Sequence, residues 1–280
     1  MQQTVLPKRR FIVATAPPPQ PAVAPTGSPA LPGGSGTTPP KRNQVLAGWA
    51  VHAFTMSGIV WASLALLALY EGSLKLMWLW LVVALVVDGV DGTLARRVRI
   101  KEAVPWFDGS VTDIIIDYLT WTFIPGVFMY LHLPLGPKSL AGVLVLVALI
   151  SSLFCYANEG EKSADNYFVG FPAAWNVVAV MMWVLHTPAL FNVVCLVALA
   201  ILTLVPTHYA HPMRVVKRRS LLIALVLAWM VGTIWLVVVY PSRPLPAMLL
   251  SVVCGGWFLV IGVLRTLQGR PDEVEGALDS

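Results

Sequence analysis

Residues 88–97 read DGVDGTLARR: two carboxylates and then two guanidiniums close an otherwise apolar run, LWLVVALVV. A little further on, TDIIID (112–117) brings two more aspartates. Asp88 and Asp91 stand three apart, Asp113 and Asp117 four apart. Each spacing puts its pair on one face of a helix. If two such helices pack antiparallel through a short connection, the four carboxylates converge. Carboxylates at close range cannot all stay ionised without something positive among them, and charge near a membrane interior is costly. Hard divalent cations held by oxygen ligands meet that need, and two such ions suit phosphoryl chemistry. Gly92, Ala95 and Gly109 leave volume beside the carboxylates for a nucleotide or diphosphate to approach the backbone. Arg96 offers a planar fork for phosphate oxygens. The plain alternative is that these charges solvate helix ends while the glycines let helices pack closely.

The elements that must carry these residues are apolar. Of 280 residues, 57% are hydrophobic and 12% charged, where soluble domains are about half apolar and a quarter charged. Mean hydropathy is +0.75. Apolar runs long enough to span a bilayer recur from residue 46 onward, so the expected fold is an all-α polytopic membrane protein. Eight transmembrane helices are drawn, at 46–70, 74–97, 109–131, 138–157, 169–187, 189–206, 220–240 and 246–265. Proline-bearing breaks such as HTPAL and YPSRPLP separate them. Residues 1–43, rich in Pro, Ala and Gly, cannot bury a core and read as disordered. They hold no long apolar core before the prolines, so a cleaved signal is not expected. Residues 44–267 read as the transmembrane catalytic domain and 268–280 as a polar tail. Cys155, Cys195 and Cys254 show no metal-like spacing and read as buried thiols.

An even number of spans puts both termini on one side. With that side cytoplasmic, every Lys and Arg falls inside except Lys75, Lys138 and Arg243, as the positive-inside rule requires. Both aspartate pairs then lie at the cytoplasmic face. Arg214, Lys217, Arg218 and Arg219 would face anionic headgroups there.

The pattern Asp88-x-x-Asp91-Gly92-x-x-Ala95-Arg96, followed by Gly109-x-x-x-Asp113-x-x-x-Asp117, resembles the signature of the CDP-alcohol phosphotransferases. Twelve residues, 97–108, separate Arg96 from Gly109, a longer spacer than in most of that family. In this the chain is similar to the bacterial phosphatidylcholine synthase branch, which joins choline to CDP-diacylglycerol. VHAFTMSGI (51–59), LVVDGVDGTLARRV (85–98) and KSADNYFVGFPAAWN (162–176) resemble the same branch. The resemblance implies Asp88, Asp91 and Asp113 as metal ligands, with Asp117 near a metal but placed as general base. Gly92, Ala95, Arg96 and Gly109 would line the nucleotide and diphosphate site, with Thr55 and Ser57 of the first span in reach of the nucleotide. It further implies Mg2+ or Mn2+, two ions, and CDP-diacylglycerol, choline and CMP as ligands. A bacterial inner-membrane location and a homodimer are expected, and no nucleic-acid partner.

Choline is a permanent cation, and aromatic faces with a nearby carboxylate suit it. Trp106, Tyr118, Tyr156, Tyr167 and Glu159 are the candidates, although Trp and Tyr gather at membrane interfaces in any case. Two other readings stay open. Another acceptor alcohol (inositol, serine or glycerol phosphate) would need the same aspartates. A transporter would place carboxylates at the bilayer midplane between repeated halves, and no internal repeat is visible. The enzyme reading makes Asp117→Asn the sharpest substitution: turnover should be abolished while CDP-diacylglycerol binding stays largely intact. Loss of liponucleotide binding in that variant, measured on purified protein, would make Asp117 a structural ligand instead.

Overall fold

A computed structural model describes residues 40–157, 167–205, 207–210 and 219–267. The first apolar stretch forms two helices, α1 (Arg42–Met56) and α2 (Gly58–Tyr70), that together make one 29-residue rod. Ser57 joins them, and its hydroxyl donates back to the Phe54 carbonyl at 2.6 Å. Gly72, at φ +74°, then turns the chain, a conformation natural to glycine. α3 (Leu74–Val98) returns alongside α2. Its buried residues are Met77, Trp78, Leu81, Ala84, Val87 and Asp91, three or four positions apart from Trp78 onward, which is one helix face.

α3 stops at Arg99, whose backbone adopts the left-handed region at φ +52°. The long spacer then folds as a single-turn helix, α4 (Ile100–Ala103), and a short aromatic stretch. α5 (Gly109–Asp117) follows, then a π-helical turn at Tyr118–Phe123, and α6 (Ile124–His132). Proline has no N–H and crowds the carbonyl four residues earlier. Pro125 therefore denies this helix its regular hydrogen bond, and the wider turn directly before it absorbs the strain.

The remaining helices are α7 (Lys138–Ala157), α8 (Trp175–Leu185), α9 (Ala189–Leu202), α10 (Arg219–Val239) and α11 (Leu245–Leu267). Among the described residues, five stretches are long and apolar enough to cross a membrane: Arg42–Tyr70, Gly109–His132, Lys138–Ala157, Ser220–Val239 and Leu245–Leu264. α8 and α9 are apolar but shorter, and the 25-residue α3 carries the first aspartate pair. These eight helical segments follow the eight expected from the sequence.

The fifth and sixth are shorter than the expected spans 169–187 and 189–206. Residues 167–169 form a strand, β1, antiparallel to β2 (His208–Ala210), with Phe168 opposite Tyr209. The local sequence explains the late helix start. Gly170 sits at φ +87° with its α-carbon against the Thr203 carbonyl; an added Cβ would lie 2.6 Å from that oxygen. Pro172 pushes the residue before it away from helical backbone, and α8 begins only at Trp175.

The bundle's core is mainly apolar but holds a set of polar side chains, while its outer surface is apolar as well. On α7, Val143, Leu146, Ile150 and Phe154 face outward while Ser151 and Ser152 are buried. Without water, interior polar groups must pair with one another. Trp175 Nε1 donates to Ser152 Oγ at 2.8 Å, and Thr122 Oγ1 to the Ala173 carbonyl at 3.2 Å. Asn192 Nδ2 donates to the Pro134 carbonyl at 3.2 Å. An aromatic cluster of Trp78, Phe128, Trp183 and Tyr240 ties α3, α6, α8 and the end of α10, with Trp183 stacked on Tyr240 at 4.1 Å.

Lys75, Lys138 and Arg243, the three cations outside the main basic set, each donate to a carbonyl near a helix C-terminus. Lys75 reaches Val238 at 2.8 Å, Lys138 reaches Tyr130 at 2.9 Å and Arg243 reaches Leu185 at 3.1 Å. Each offsets the negative end of a helix. Trp175, fully buried and hydrogen-bonded, is a keystone between α7 and α8. Trp175→Ala should cost about 3–5 kcal/mol of stability, checked as a fall in the thermal midpoint in detergent.

Candidate active site

α3 and α5 bring Asp88, Asp91 and Asp113 together: one carboxylate oxygen from each lies within 4.8 Å of the other two. Asp91 is 7% exposed, while Asp88 and Asp113 are half-buried. Asp117 stands one turn further along α5, outside this triad and also half-buried. The donors are all hard oxygens. Around a small divalent ion with oxygens at about 2.1 Å, ligand atoms stand at most about 4.2 Å apart, so the triad fits such an ion with little closure. A soft or imidazole-seeking metal would want sulfur or nitrogen donors.

Arg96, on the exposed side of α3, lies over Gly92, where an added Cβ would come 3.4 Å from Nη1. Its Nη2 donates to Thr93 Oγ1 at 3.1 Å. The motif's open backbone is at Gly89, where an added Cβ would meet nothing within 4 Å. Ala95 is half-buried on α3.

One face of α1 organises the rest. Gly48, His52 and Thr55 are spaced four and three apart, with Gly58 just past the Ser57 joint. Each touches a different part of the site. An added Cβ on Gly48 would lie 2.8 Å from Val104 and 3.2 Å from Ala103, so the spacer lies directly on α1 there. At Gly109 an added Cβ would fall 2.7 Å from His52 Cε1 and 2.9 Å from Nδ1. Thr55 donates its hydroxyl to the Asp91 carboxylate, which also accepts from the Gly92 N–H. Gly58 abuts Ile116, at 2.6 Å for an added Cβ. α5 therefore rests on α1 and α2 at two glycines, one on each partner.

The N-terminus of α5 is capped by Asp108, which accepts from the Ser110 N–H at 3.0 Å and hydroxyl at 2.6 Å. The Ser110 hydroxyl, followed by its N–H, holds the Asp108 carboxyl below the usual carboxylate range.

Several sequence expectations land differently. The space beside Gly109 belongs to the His52 ring rather than to an open nucleotide path. Thr55 holds Asp91, and Ser57 closes the α1–α2 joint. Tyr118 directly follows Asp117, and its ring meets Tyr156 edge-on at 5.8 Å. Its hydroxyl donates to the Leu149 carbonyl at 3.4 Å. Trp106 belongs elsewhere, packed on Trp49 at 5.4 Å in the spacer's aromatic cluster and 74% exposed. Tyr167 lies in β1, and Glu159 falls outside the described residues. His52, Gly48 and Gly58 escaped the sequence reading. The 48, 52, 55 periodicity in GWAVHAFT was the available signal.

A helical membrane bundle with a carboxylate triad, buried at Asp91 and half-buried at Asp88 and Asp113, on the helix that also carries Gly89 and Arg96, suits a transferase acting on phosphorylated lipid precursors. The family model for CDP-alcohol phosphatidyltransferase matches residues 50–205, more than half of the chain. A phosphatidylcholine synthase of Pseudomonas aeruginosa is 49% identical over 210 residues, covering 75% of this chain and 85% of that protein. A phosphatidylcholine synthase of Bradyrhizobium diazoefficiens is 36% identical over 189 residues, covering 68% and 70%. One from Rhizobium johnstonii is 33% identical over 217 residues, covering 77% and 89%. The chain belongs to the CDP-alcohol phosphatidyltransferase family.

Thr55 is a hydrogen-bond partner of the Asp91 carboxylate without itself joining the triad. Outer partners of this kind support metal affinity about 10- to 100-fold. Thr55→Val should weaken Mn2+ binding about tenfold with the fold intact, as read by titration of free Mn2+ in electron paramagnetic resonance.

Proposed function

We propose that this protein is a phosphatidylcholine synthase, transferring the phosphatidyl group of CDP-diacylglycerol to choline and releasing CMP. The carrying observation is the convergence of Asp88, Asp91 and Asp113 within 4.8 Å, one helical turn from Asp117. The naming of the relatives as phosphatidylcholine synthases supports the choice of acceptor.

Asp88, Asp91, Asp113 and Asp117 would hold two Mg2+ or Mn2+ ions. When bound, these supply positive charge to the diphosphate and to the departing CMP. The chain's own groups do the rest. Asp117 accepts the proton of the choline hydroxyl, whose oxygen attacks the phosphorus bearing diacylglycerol. A new P–O bond forms to choline as the P–O bond to CMP breaks, and CMP leaves with the electron pair. The Arg96 fork, beside the open backbone at Gly89, engages the diphosphate. Such a displacement asks the protein mainly for positioning and electrostatic support.

For the choline cation, Tyr118 and Tyr156 are the better placed aromatics, since Tyr118 adjoins the proposed base. Trp106 is engaged with Trp49 and Phe107. The lipid would enter from the bilayer, along the apolar outer faces of the bundle.

The end of the bundle bearing Arg96, Arg97, Arg99 and Lys101 also carries Lys41 and Arg42. There the start of α1 and the end of α3 share a cleft of about 330 Å³, lined by Asn43, Gln44, Ala47, Arg97, Val98 and Arg99. This concentration of cations supports a cytoplasmic active site in a bacterial inner membrane.

The test is CMP release by purified protein given CDP-diacylglycerol and Mn2+, with choline, inositol, serine or glycerol phosphate supplied in turn. Release with choline alone, yielding phosphatidylcholine, is expected. Release with a different alcohol would keep the mechanism and overturn the acceptor. No release with any acceptor from folded protein would overturn the enzyme reading.

A further inference from the structure

His52 is 3% exposed, and its Nε2 has no hydrogen-bond partner among the described residues. Burying an imidazole nitrogen in this way is costly, so hydrogen bonding in the core does not account for the ring. Two aromatic rings hold it edge-on: Trp49 at 5.7 Å and Phe107 at 4.5 Å between centroids. Trp49 comes from α1 and Phe107 from the spacer, so the ring is clamped from both sides of the α1–spacer contact. Trp49 and Phe107 also meet each other at 5.4 Å. One edge of the imidazole remains, and it faces Gly109. The Cβ clash distances of 2.7 and 2.9 Å leave no room there for even a methyl group.

Gly109 is the first residue of α5, four positions before Asp113. Less than one turn along α1 from His52, Thr55 holds Asp91. A single rigid helix thus touches both halves of the carboxylate triad. It holds the α3 half through a hydrogen bond and the α5 half through a ring in contact with backbone. The twelve-residue spacer leaves the relation between the two halves undetermined by chain length, so something must define it. We propose that His52 is a positioning residue: its clamped imidazole is the stop against which Gly109 rests, and it thereby sets the distance of Asp113 from Asp88 and Asp91.

The inference rests on the metal-binding reading of the triad, so the test measures metal binding directly rather than turnover. Mn2+ affinity is measured by electron paramagnetic resonance on purified full-length protein, alongside the thermal midpoint, for wild type, His52→Ala, Gly109→Ala and the double variant. Each single variant should bind Mn2+ about tenfold more weakly, the scale of a lost supporting contact. Removing the ring frees α5 to drift, and adding the methyl pushes it away. In the double variant the methyl occupies space the ring has left. It should therefore bind Mn2+ at least as well as Gly109→Ala, a strongly non-additive cycle.

A double variant weaker than both singles would overturn the proposal, as would an additive cycle. A role confined to stability would lower the thermal midpoint of His52→Ala and leave Mn2+ affinity unchanged, which also overturns it. If Gly109→Ala is not recovered folded, His52→Asn decides the matter: it keeps a polar side chain without the ring and should also lose about tenfold in affinity. Unchanged affinity in His52→Asn overturns the proposal. Wild type that binds no Mn2+ would overturn both the metal reading and this inference. Wild type that binds, with an additive cycle, would overturn the inference alone.

Discussion

Three carboxylates held within 4.8 Å of one another repel. At an effective dielectric near 20 each ionised pair costs about 3–4 kcal/mol, and the apolar bundle around Asp91 offers little water to screen it. Nothing in the carboxylates themselves keeps α3 and α5 together at that spacing. The surrounding helices must force the approach, and a divalent cation is the natural counterweight. Much of the local architecture follows from this requirement. Gly58 lets α2 come onto Ile116, Gly109 lets α5 come onto His52, and Gly48 lets the spacer lie on α1. At each contact a side chain is missing where a backbone has to come close.

The bundle's surface is apolar as well as its core. The outer surface, including Val143, Ile150 and Phe154 on α7, is apolar, so the bundle gains little from burying those residues against itself. Cohesion instead comes from close packing and from interior hydrogen bonds such as Trp175 to Ser152 and Asn192 to Pro134. Lys75, Lys138 and Arg243 neutralise helix C-termini. The cations near Arg96 remain close to the triad, where a phosphorylated substrate would need them. The same sign of charge thus has one use at each end of the molecule.

The π-helical turn at Tyr118–Phe123 begins immediately after Asp117. Pro125 accounts for it chemically, and its consequence is local: the wider turn changes the angular relation of α6, which follows it, to the α5 face bearing Asp113 and Asp117. Tyr118 is the first residue of that turn, and its ring partner Tyr156 lies in the last turn of α7. A regular helix over 109–132 would have given α6 a different phase.

The sequence by itself determined the class of fold, the eight helical segments and the two aspartate pairs, of which the fold brings Asp88, Asp91 and Asp113 together. Hydropathy reports membrane spans because a bilayer imposes length and apolarity locally. The spacings 88/91 and 113/117 report shared faces because helical geometry is local too. It misplaced both ends of the fifth segment and the end of the sixth, where the pairing of residues 167–169 with 208–210 competes with helix. It assigned Gly109 to open volume and Thr55 to the nucleotide. Only the tertiary structure decided that Gly109 meets His52, that Thr55 meets Asp91 and that Trp106 packs away on Trp49. Those contacts join residues dozens of positions apart, on helices whose relative rotation no periodicity encodes. Their geometry is set when α1, α3, the spacer and α5 settle against one another.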